Sequence, residues 1–165
     1  MADAQFKEKL FPSLLDRLTD DSPMEQKESR DKRVFTVAKL REAVLRDLGW
    51  LLNTCHLEVV EDLSDFPLIK ASVVNYGIPD LTGKTLSGLE VFDLEQALKR
   101  SIVQFEPRIL ADTLEVRGLL NDDASVHNCV AFEIEGELWA RPIPERLFLR
   151  TELDLETGSV TMKEE

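Results

Sequence analysis

The hydrophobic period of the chain changes at Pro107. Before Pro107, apolar residues such as Val37, Leu40, Val44 and Leu48 recur about every 3.6 residues, which predicts amphipathic helices. After Pro107, apolar residues alternate with polar or small ones, which predicts half-buried strands. Helices that precede the strands, instead of alternating with them, favour an α+β fold. We therefore expect an α+β fold in which N-terminal helices pack on a small antiparallel sheet of three to four strands.

Three helices are predicted in the first part of the chain. The first covers about residues 12–18, and the second covers residues 34–54. The third begins at an S-x-x-E capping box, in which Ser87 and Glu90 each satisfy a backbone N–H of the first turn, and it continues to about Gln104. The apolar residues that this third helix is expected to bury are Leu89, Phe92, Leu98, Ile102 and Phe105.

A charged segment separates the first helix from the rest. Residues 20–33 contain almost no large apolar side chains, which is typical of a mobile linker. The predicted organisation is an N-terminal helical arm and charged linker, residues 1–33, followed by an α+β domain, residues 34–165. The arm can dock on its own fold or on a neighbouring protein.

The strand predictions rest on period-2 alternation. One alternating run extends from Val126 to Ile134 and another from Leu147 to Leu155. The sequence ETGSV predicts a hairpin turn into a last strand at Val160 to Met162. A short strand is also expected near Ser72 to Asn75, inside the loop that follows the second helix.

The charge of the chain limits its partners. Thirty-two acidic and 20 basic residues give a net charge of -12, which opposes binding to nucleic acid and to anionic membranes. The part from Glu106 onward holds 14 acidic and 6 basic residues, a balance of -8, so its natural complement is a basic protein surface. The start lacks a secretory signal and no apolar stretch reaches membrane-spanning length, so we expect a cytoplasmic protein.

Two cysteine–histidine pairs are the candidates for metal or nucleophilic chemistry. Cys55 adjoins His56, and His127 lies two residues before Cys129, but these spacings are tighter than those of common zinc sites. A cysteine nucleophile also needs a third group that orients its histidine, and the neighbouring residues supply none. We predict no metal, no cofactor and no disulfide bond.

Carboxylate pairs are the candidates for glycosidase chemistry, and Glu106, Asp112, Glu133 and Glu135 could each be nominated. A general acid needs an apolar pocket or a second carboxylate beside it. Arg108 lies two residues from Glu106 and favours the ionised form of its carboxylate, which suits a recognition or structural role and not a general acid. We therefore predict no catalytic residue and no enzymatic activity.

The sequence Glu106-Pro107-Arg108 forms a stiff corner. Pro107 ends the helix and sends the chain onward in an extended course, so Glu106 and Arg108 are expected to project to the same side. One interpretation is a surface ion pair worth about 0 to 1 kcal/mol. The other is a binding site in which the carboxylate and the planar guanidinium face another chain.

Four segments in order resemble the TssE family of type VI secretion baseplate subunits. They are PSLLDRLTDD at residues 12–21, LREAVLRDLGWLLNT at 40–54, SVVNYGIPDLTG at 72–83 and FEPRI at 105–109. This family is similar to the wedge proteins of contractile phage tails and was once labelled lysozyme-like. The resemblance extends from about Pro12 to about Leu155.

The resemblance implies a noncatalytic subunit that joins a baseplate wedge and templates a contractile sheath. The implied partners are the baseplate proteins TssF, TssG and TssK and the sheath proteins TssB and TssC. Glu106, Pro107 and Arg108 would be the partner-binding residues that lock the subunit to the wedge core. The implied location is the cytoplasm, in a baseplate docked at the inner membrane.

Two alternatives remain open. The older family label and the abundant carboxylates suggest a peptidoglycan-cleaving glycosidase. The same fold could also serve as the wedge protein of a phage tail or of another contractile injection system.

Overall fold

The helices precede the sheet along the chain, as the change of hydrophobic period predicts. The computed structural model describes residues 12–19, 23–24, 36–80, 88–119, 129–140 and 144–164. Within these ranges the helices are α1 Leu14–Leu18, α2 Val37–Leu52, α3 Pro67–Lys70 and α4 Gly88–Phe105. The strands are β1 Glu115–Leu119, β2 Cys129–Leu138, β3 Glu145–Asp154 and β4 Val160–Glu164. The predicted α+β fold is confirmed.

The four strands form one antiparallel sheet in the order β1-β2-β3-β4. Phe132 of β2 lies opposite Gly118 of β1 and Thr151 of β3. The two strands predicted from alternation and the last strand predicted from the hairpin turn are all present, as β2, β3 and β4. Val126 and Asn128 lie outside the described residues. Strand β1 was not predicted, because it is only five residues long and Val116 is the one residue of the five that is buried.

Helices α2 and α4 bury their apolar stripes against the sheet. Thr36 caps the start of α2, because its hydroxyl accepts a hydrogen bond from the Lys39 N–H. In α4 the stripe that is buried consists of Val91, Leu94, Leu98 and Ile102. Burial of Phe92 was predicted wrongly: its side chain is 57% exposed, because it lies beside this stripe. The side chains of the predicted Ser87–Glu90 capping box lie outside those that the structure describes.

The connection between α2 and α4 contains short helices where a strand was predicted. Residues Leu57–Val59 and Val73–Asn75 are 3-10 helices, so the predicted strand near Ser72 to Asn75 is wrong. The Ser72 hydroxyl accepts from the Val74 N–H and caps the second of these turns. The turn chemistry of Ser72 therefore outweighs the β propensity of the two valines that follow it.

Helix α1, the described helix of the N-terminal arm, lies against its own fold. None of the five residues of α1, all of which the structure describes, is buried. An ion pair of 2.6 Å between Asp16 and Arg46 of α2 joins the arm to the domain. Most of the predicted linker lies outside the described residues.

Helix composition and the state of the cysteines bear on the class of protein to which the chain belongs. Within the described ranges, no helix combines the length and the apolar character needed to span a bilayer. Cys55 and Cys129 are both free thiols, so they do not form a disulfide bond with each other.

Candidate functional site

The Glu-Pro-Arg corner joins the end of α4 to the end of β2. The Glu106 N–H still donates to the Ile102 carbonyl, at 2.8 Å, and closes the last turn of α4. The Arg108 carbonyl then accepts from the Trp139 N–H at 2.7 Å, and the Leu110 N–H donates to the Glu137 carbonyl at 2.8 Å. Because both sides of the corner are hydrogen-bonded to fixed elements, its backbone is held in one conformation.

Glu106 and Arg108 form a bidentate ion pair. Arg108 donates from Nε to Oε1 of Glu106 at 2.6 Å and from Nη2 to Oε2 at 2.5 Å. The backbone N–H of Arg108 also donates to Oε1, at 3.2 Å. The Glu106 side chain is only 3% exposed and that of Arg108 is 21% exposed. Both oxygens of the Glu106 carboxylate are therefore paired with Arg108, and the carboxylate is almost completely shielded from solvent.

This burial corrects two expectations. The interpretation in which the Glu106 carboxylate faces another chain is wrong, and so is the interpretation of the pair as a surface ion pair. The two side chains do lie on the same side of the chain, where they pair with each other. Glu115 and Arg117 on β1 have the same Glu-x-Arg spacing and do form a surface ion pair, in which the side chains are 57% and 61% exposed. Pro107 is exposed, and Arg108 is partly exposed. Sequence spacing could not distinguish the two pairs, because burial depends on packing against α2.

Arg108 belongs to a chain of alternating charges that crosses the domain. Its Nη2 also donates to Oδ2 of Asp47 on α2, at 2.5 Å. Oδ1 of Asp47 accepts from Arg46 Nε at 2.9 Å, and Arg46 Nη1 donates to Asp16 at 2.6 Å. The order is therefore Glu106, Arg108, Asp47, Arg46, Asp16. Each arginine lies between two carboxylates, so the network links α1, α2 and the corner.

The charged network borders a cleft of about 290 Å³. Ser13, which caps α1, and Leu15 of α1 line the cleft, and so does Tyr76, which follows the second 3-10 helix. The remaining lining residues are Asp47, Trp50, Leu51, Phe105, Glu106 and Arg108. All nine lie within the four segments that resemble the TssE family. Segments separated along the chain thus meet at one place.

Tyr76 connects the third of these segments to the network. Its hydroxyl donates to the Asp47 carbonyl at 3.3 Å, and its ring meets that of Phe105 edge-on, with centroids 5.2 Å apart. Burial raises the pKa of Tyr76, and the negative charges of Asp47 and Glu106 raise it further. The phenol therefore stays neutral beside the two carboxylates.

The guanidinium of Arg108 is strongly held in its charged form. Burial alone lowers the pKa of Arg108, but its hydrogen bonds and charge interactions with Glu106 and Asp47 outweigh burial and raise the pKa. Among the atoms that the structure describes, Nη1 of Arg108 is shielded from solvent and has no hydrogen-bond partner. One nitrogen of the fork, with its two N–H donors, is thus left unsatisfied in the isolated chain.

The other candidate residues do not join this site. Asp112 lies in an exposed turn, and Glu133 and Glu135 lie on β2, where they flank the inward-facing Ile134. None of these three carboxylates lines the cleft beside Arg108. His127 lies outside the described residues, and among the residues that are described no three potential ligands cluster around a metal position.

Sequence reasoning missed Asp47, Arg46, Asp16 and Tyr76 as members of the site. The signal that could have found them is the resemblance itself, because all four lie in its quoted segments. A chain of charges between segments far apart in sequence leaves no local pattern.

Comparison with known proteins points to one family. A family model described as baseplate wedge protein gp25 matches residues 38–143, which is more than half of the 165 residues. A comparison with curated proteins finds no match. The matched range contains Arg46, Asp47, Tyr76 and the whole Glu-Pro-Arg corner.

Proposed function

The chain belongs to the family of the baseplate wedge protein gp25, and from this premise we propose that it is a structural baseplate subunit of a type VI secretion machine. TssE proteins belong to the same family, so the resemblance identified from the four segments is confirmed at the family level. In the proposed role the subunit joins the wedge complex and templates assembly of the contractile sheath. It acts in the cytoplasm, in a baseplate docked at the inner membrane.

The observation that supports this role best is the convergence of the four segments on the cleft beside Arg108. Glu106 and Asp47 fix the guanidinium plane from two sides and leave Nη1 without an acceptor. A partner that approaches the 21% of the Arg108 side chain that is exposed would therefore meet a guanidinium already held in one orientation. Arg108 and the exposed Pro107 are then the contact residues, and Glu106 is a positioning residue.

We assign the wedge contact to TssF and TssG, with TssK in the same baseplate, because the family resemblance implies these partners. We assign the contact with the sheath proteins TssB and TssC to the sheet. Strands β1 and β4 are its two edges, and a sheet edge can accept a strand from a neighbour. The Asn53 side chain already bonds both the N–H and the carbonyl of Val160, so a strand from a neighbour cannot pair with β4 at that residue.

The proposed role is tested by replacing Arg108 in cells that assemble a fluorescent sheath. Arg108→Ala should abolish sheath assembly, and because it leaves the buried Glu106 carboxylate unpaired, circular dichroism must show that the variant is folded. Arg108→Lys keeps a cation beside Glu106 and should also be impaired, because an ammonium cannot form the same planar fork. Arg117→Ala is the matched control, since Arg117 has the same spacing from a glutamate but is exposed. Normal sheath assembly with Arg108→Ala would refute the role.

We propose that the protein is not an enzyme because of the hydrogen bonds that the Glu106 carboxylate accepts. Both of its carboxylate oxygens accept hydrogen bonds from Arg108, so neither is presented to a substrate as a proton donor. The test is incubation of the purified protein with peptidoglycan. Release of soluble fragments that is lost in Glu106→Gln would revive the glycosidase alternative. The genes beside this one distinguish a secretion machine from a phage tail or another contractile system.

A further inference from the structure

The segment between α2 and α4 exposes large apolar side chains that neither the cleft nor the core uses. Five of them are more than half exposed, and we call them the apolar loop surface: Val60, Phe66, Leu68, Val73 and Val74. They lie on and between the two 3-10 helices and α3, which contact one another. Exposed apolar groups concentrated on one short segment indicate an interaction site.

This surface is held in place from inside by Asn75, which is buried. The Asn75 Oδ1 accepts from the Glu58 N–H at 3.0 Å, and its Nδ2 donates to the Lys70 carbonyl at 3.2 Å. An ion pair between Lys70 and Glu58 joins the same two positions from outside. Asn75 thereby fixes the first 3-10 helix to the end of α3, while Val60, Leu68, Val73 and Val74 remain at the surface.

The two ends of the segment are also fixed. The Ile78 N–H donates to the Thr54 carbonyl at 2.8 Å, and the His56 N–H donates to the Ile78 carbonyl at 3.1 Å. Gly77 has φ +130°, which permits this close passage of the two chain segments. Because the segment is ordered, a partner that binds it does not have to order it first.

The charge around the apolar loop surface indicates the chemistry of the partner. Residues 57–76 contain four acidic residues, Glu58, Glu61, Asp62 and Asp65, and one basic residue, Lys70, a balance of -3. Hydrogen bonds from Ser64 lower the pKa of Asp62, which keeps that carboxylate ionised at neutral pH. A second copy of the chain would bring the same acidic residues against each other, and an anionic lipid surface would also be repelled.

We infer that the apolar loop surface docks an amphipathic segment of a partner protein in which apolar side chains are flanked by lysine or arginine. The apolar side chains of that segment would cover Leu68, Val73 and their neighbours, and its cations would meet Glu61 and Asp65. The inference stands apart from the proposed function, because none of its residues lines the cleft beside Arg108.

The test uses the full chain and two synthetic peptides with identical leucines at helical spacing, one with lysines and one with glutamates at the polar positions. Calorimetry should detect binding of the lysine peptide and at least about tenfold weaker binding of the glutamate peptide. The double variant Leu68→Ser with Val73→Ser should weaken binding of the lysine peptide about tenfold or more. Glu61→Gln with Asp65→Asn should weaken it as well.

Two controls separate this surface from others. Leu14→Ser with Leu18→Ser removes two similarly exposed leucines from α1 and should leave binding unchanged. Arg108→Ala should also leave it unchanged, so failure of the cleft hypothesis and failure of this one are distinguishable. Equal binding of both peptides, no binding of the lysine peptide, or equal loss in the α1 control would overturn the inference. Self-association that Leu68→Ser with Val73→Ser abolishes would instead identify a second copy as the occupant and would overturn it too.

Discussion

Arg108 seals Glu106 with two parallel hydrogen bonds, Nε to Oε1 at 2.6 Å and Nη2 to Oε2 at 2.5 Å. The pair spans two residues across Pro107, and Asp47 of α2 holds the same guanidinium from the other side. A carboxylate buried in this way fixes the arginine more firmly than an exposed one does, because the low local dielectric strengthens the pairing. Glu106 thereby orients Arg108.

Glu106→Gln is expected to destabilise the protein by about 3 kcal/mol, because it leaves a largely buried arginine with one carboxylate in place of two. Urea unfolding followed by circular dichroism measures the change. Glu115→Gln removes the matching carboxylate of the exposed pair on β1, and the expected change there is below about 1 kcal/mol. Equal effects of the two substitutions would show that burial of Glu106 contributes nothing to stability.

Tyr76 is expected to titrate above the ordinary tyrosine pKa of about 10. The folded state favours the neutral phenol, so its contribution to stability is lost as the pH rises beyond that value. The chain contains one tyrosine, so the absorbance of the phenolate reports this residue alone. Glu106→Gln should lower the pKa of Tyr76 towards 10, since it removes one of the negative charges. An unchanged titration would contradict the proximity of the two groups.

Acidification is expected to release α1 from the domain. Burial raises the pKa of Asp16, but hydrogen bonds from Ser13 and Arg46 outweigh it, so the pKa lies below the ordinary 3.8. A lowered pKa stabilises docking above that value, and the stabilisation is lost as the pH falls below it. Arg46 lies 5.1 Å from the ring centroid of Trp50, so release should change the fluorescence of Trp50 in a Trp139→Phe background.

In that background, Asp16→Asn should give the undocked fluorescence already at neutral pH. Asp65→Asn, which changes an exposed aspartate outside the network, should leave the acid transition in place. If Asp16→Asn still shows the acid transition of the parent, the ion pair between Asp16 and Arg46 does not hold the arm.

Gly77→Ala is expected to destabilise the protein by roughly 2 kcal/mol, because φ is +130° and a Cβ would lie 2.8 Å from the His56 nitrogen. Gly49→Ala in the interior of α2 is the contrasting substitution. There a Cβ meets only the flexible end of Met162, and alanine favours a helix by up to about 1 kcal/mol. Thermal unfolding should therefore shift in opposite directions, and a shift in the same direction would contradict the conformation at Gly77.

The fold was largely predictable because its main elements carry strong periodicity. Helix α2 and strand β3 each bury a regular stripe, β2 buries Ala131 in addition to the predicted Val130, Phe132 and Ile134, and the hairpin before Val160 has turn residues of its own. Strand β1 was too short to give a signal. The prediction of a short strand near Ser72 was wrong because the Asn75 side chain accepts from the Glu58 N–H and donates to the Lys70 carbonyl. Residue propensities cannot reveal these two contacts.

The position of the site could be predicted from the sequence, but the burial of its ion pair and the contact with Asp47 could not. Pro107 indicates a fixed corner, and the spacing of Glu106 and Arg108 indicates a pair on one side of the chain. What spacing cannot show is that Asp47, 61 residues away, approaches the same guanidinium. That contact results from packing of α2 beside the end of α4, and it turns a pair expected at the surface into a buried network.

The most direct measurement of the central claim is the affinity of the purified protein for a purified TssF–TssG complex. If Glu106 and Asp47 hold Arg108 for a wedge partner, Arg108→Ala should weaken binding by at least about tenfold. Arg117→Ala should leave the affinity unchanged within about twofold, because its pair is exposed. A folded Arg108→Ala protein that binds TssF–TssG with the affinity of the parent would contradict the account.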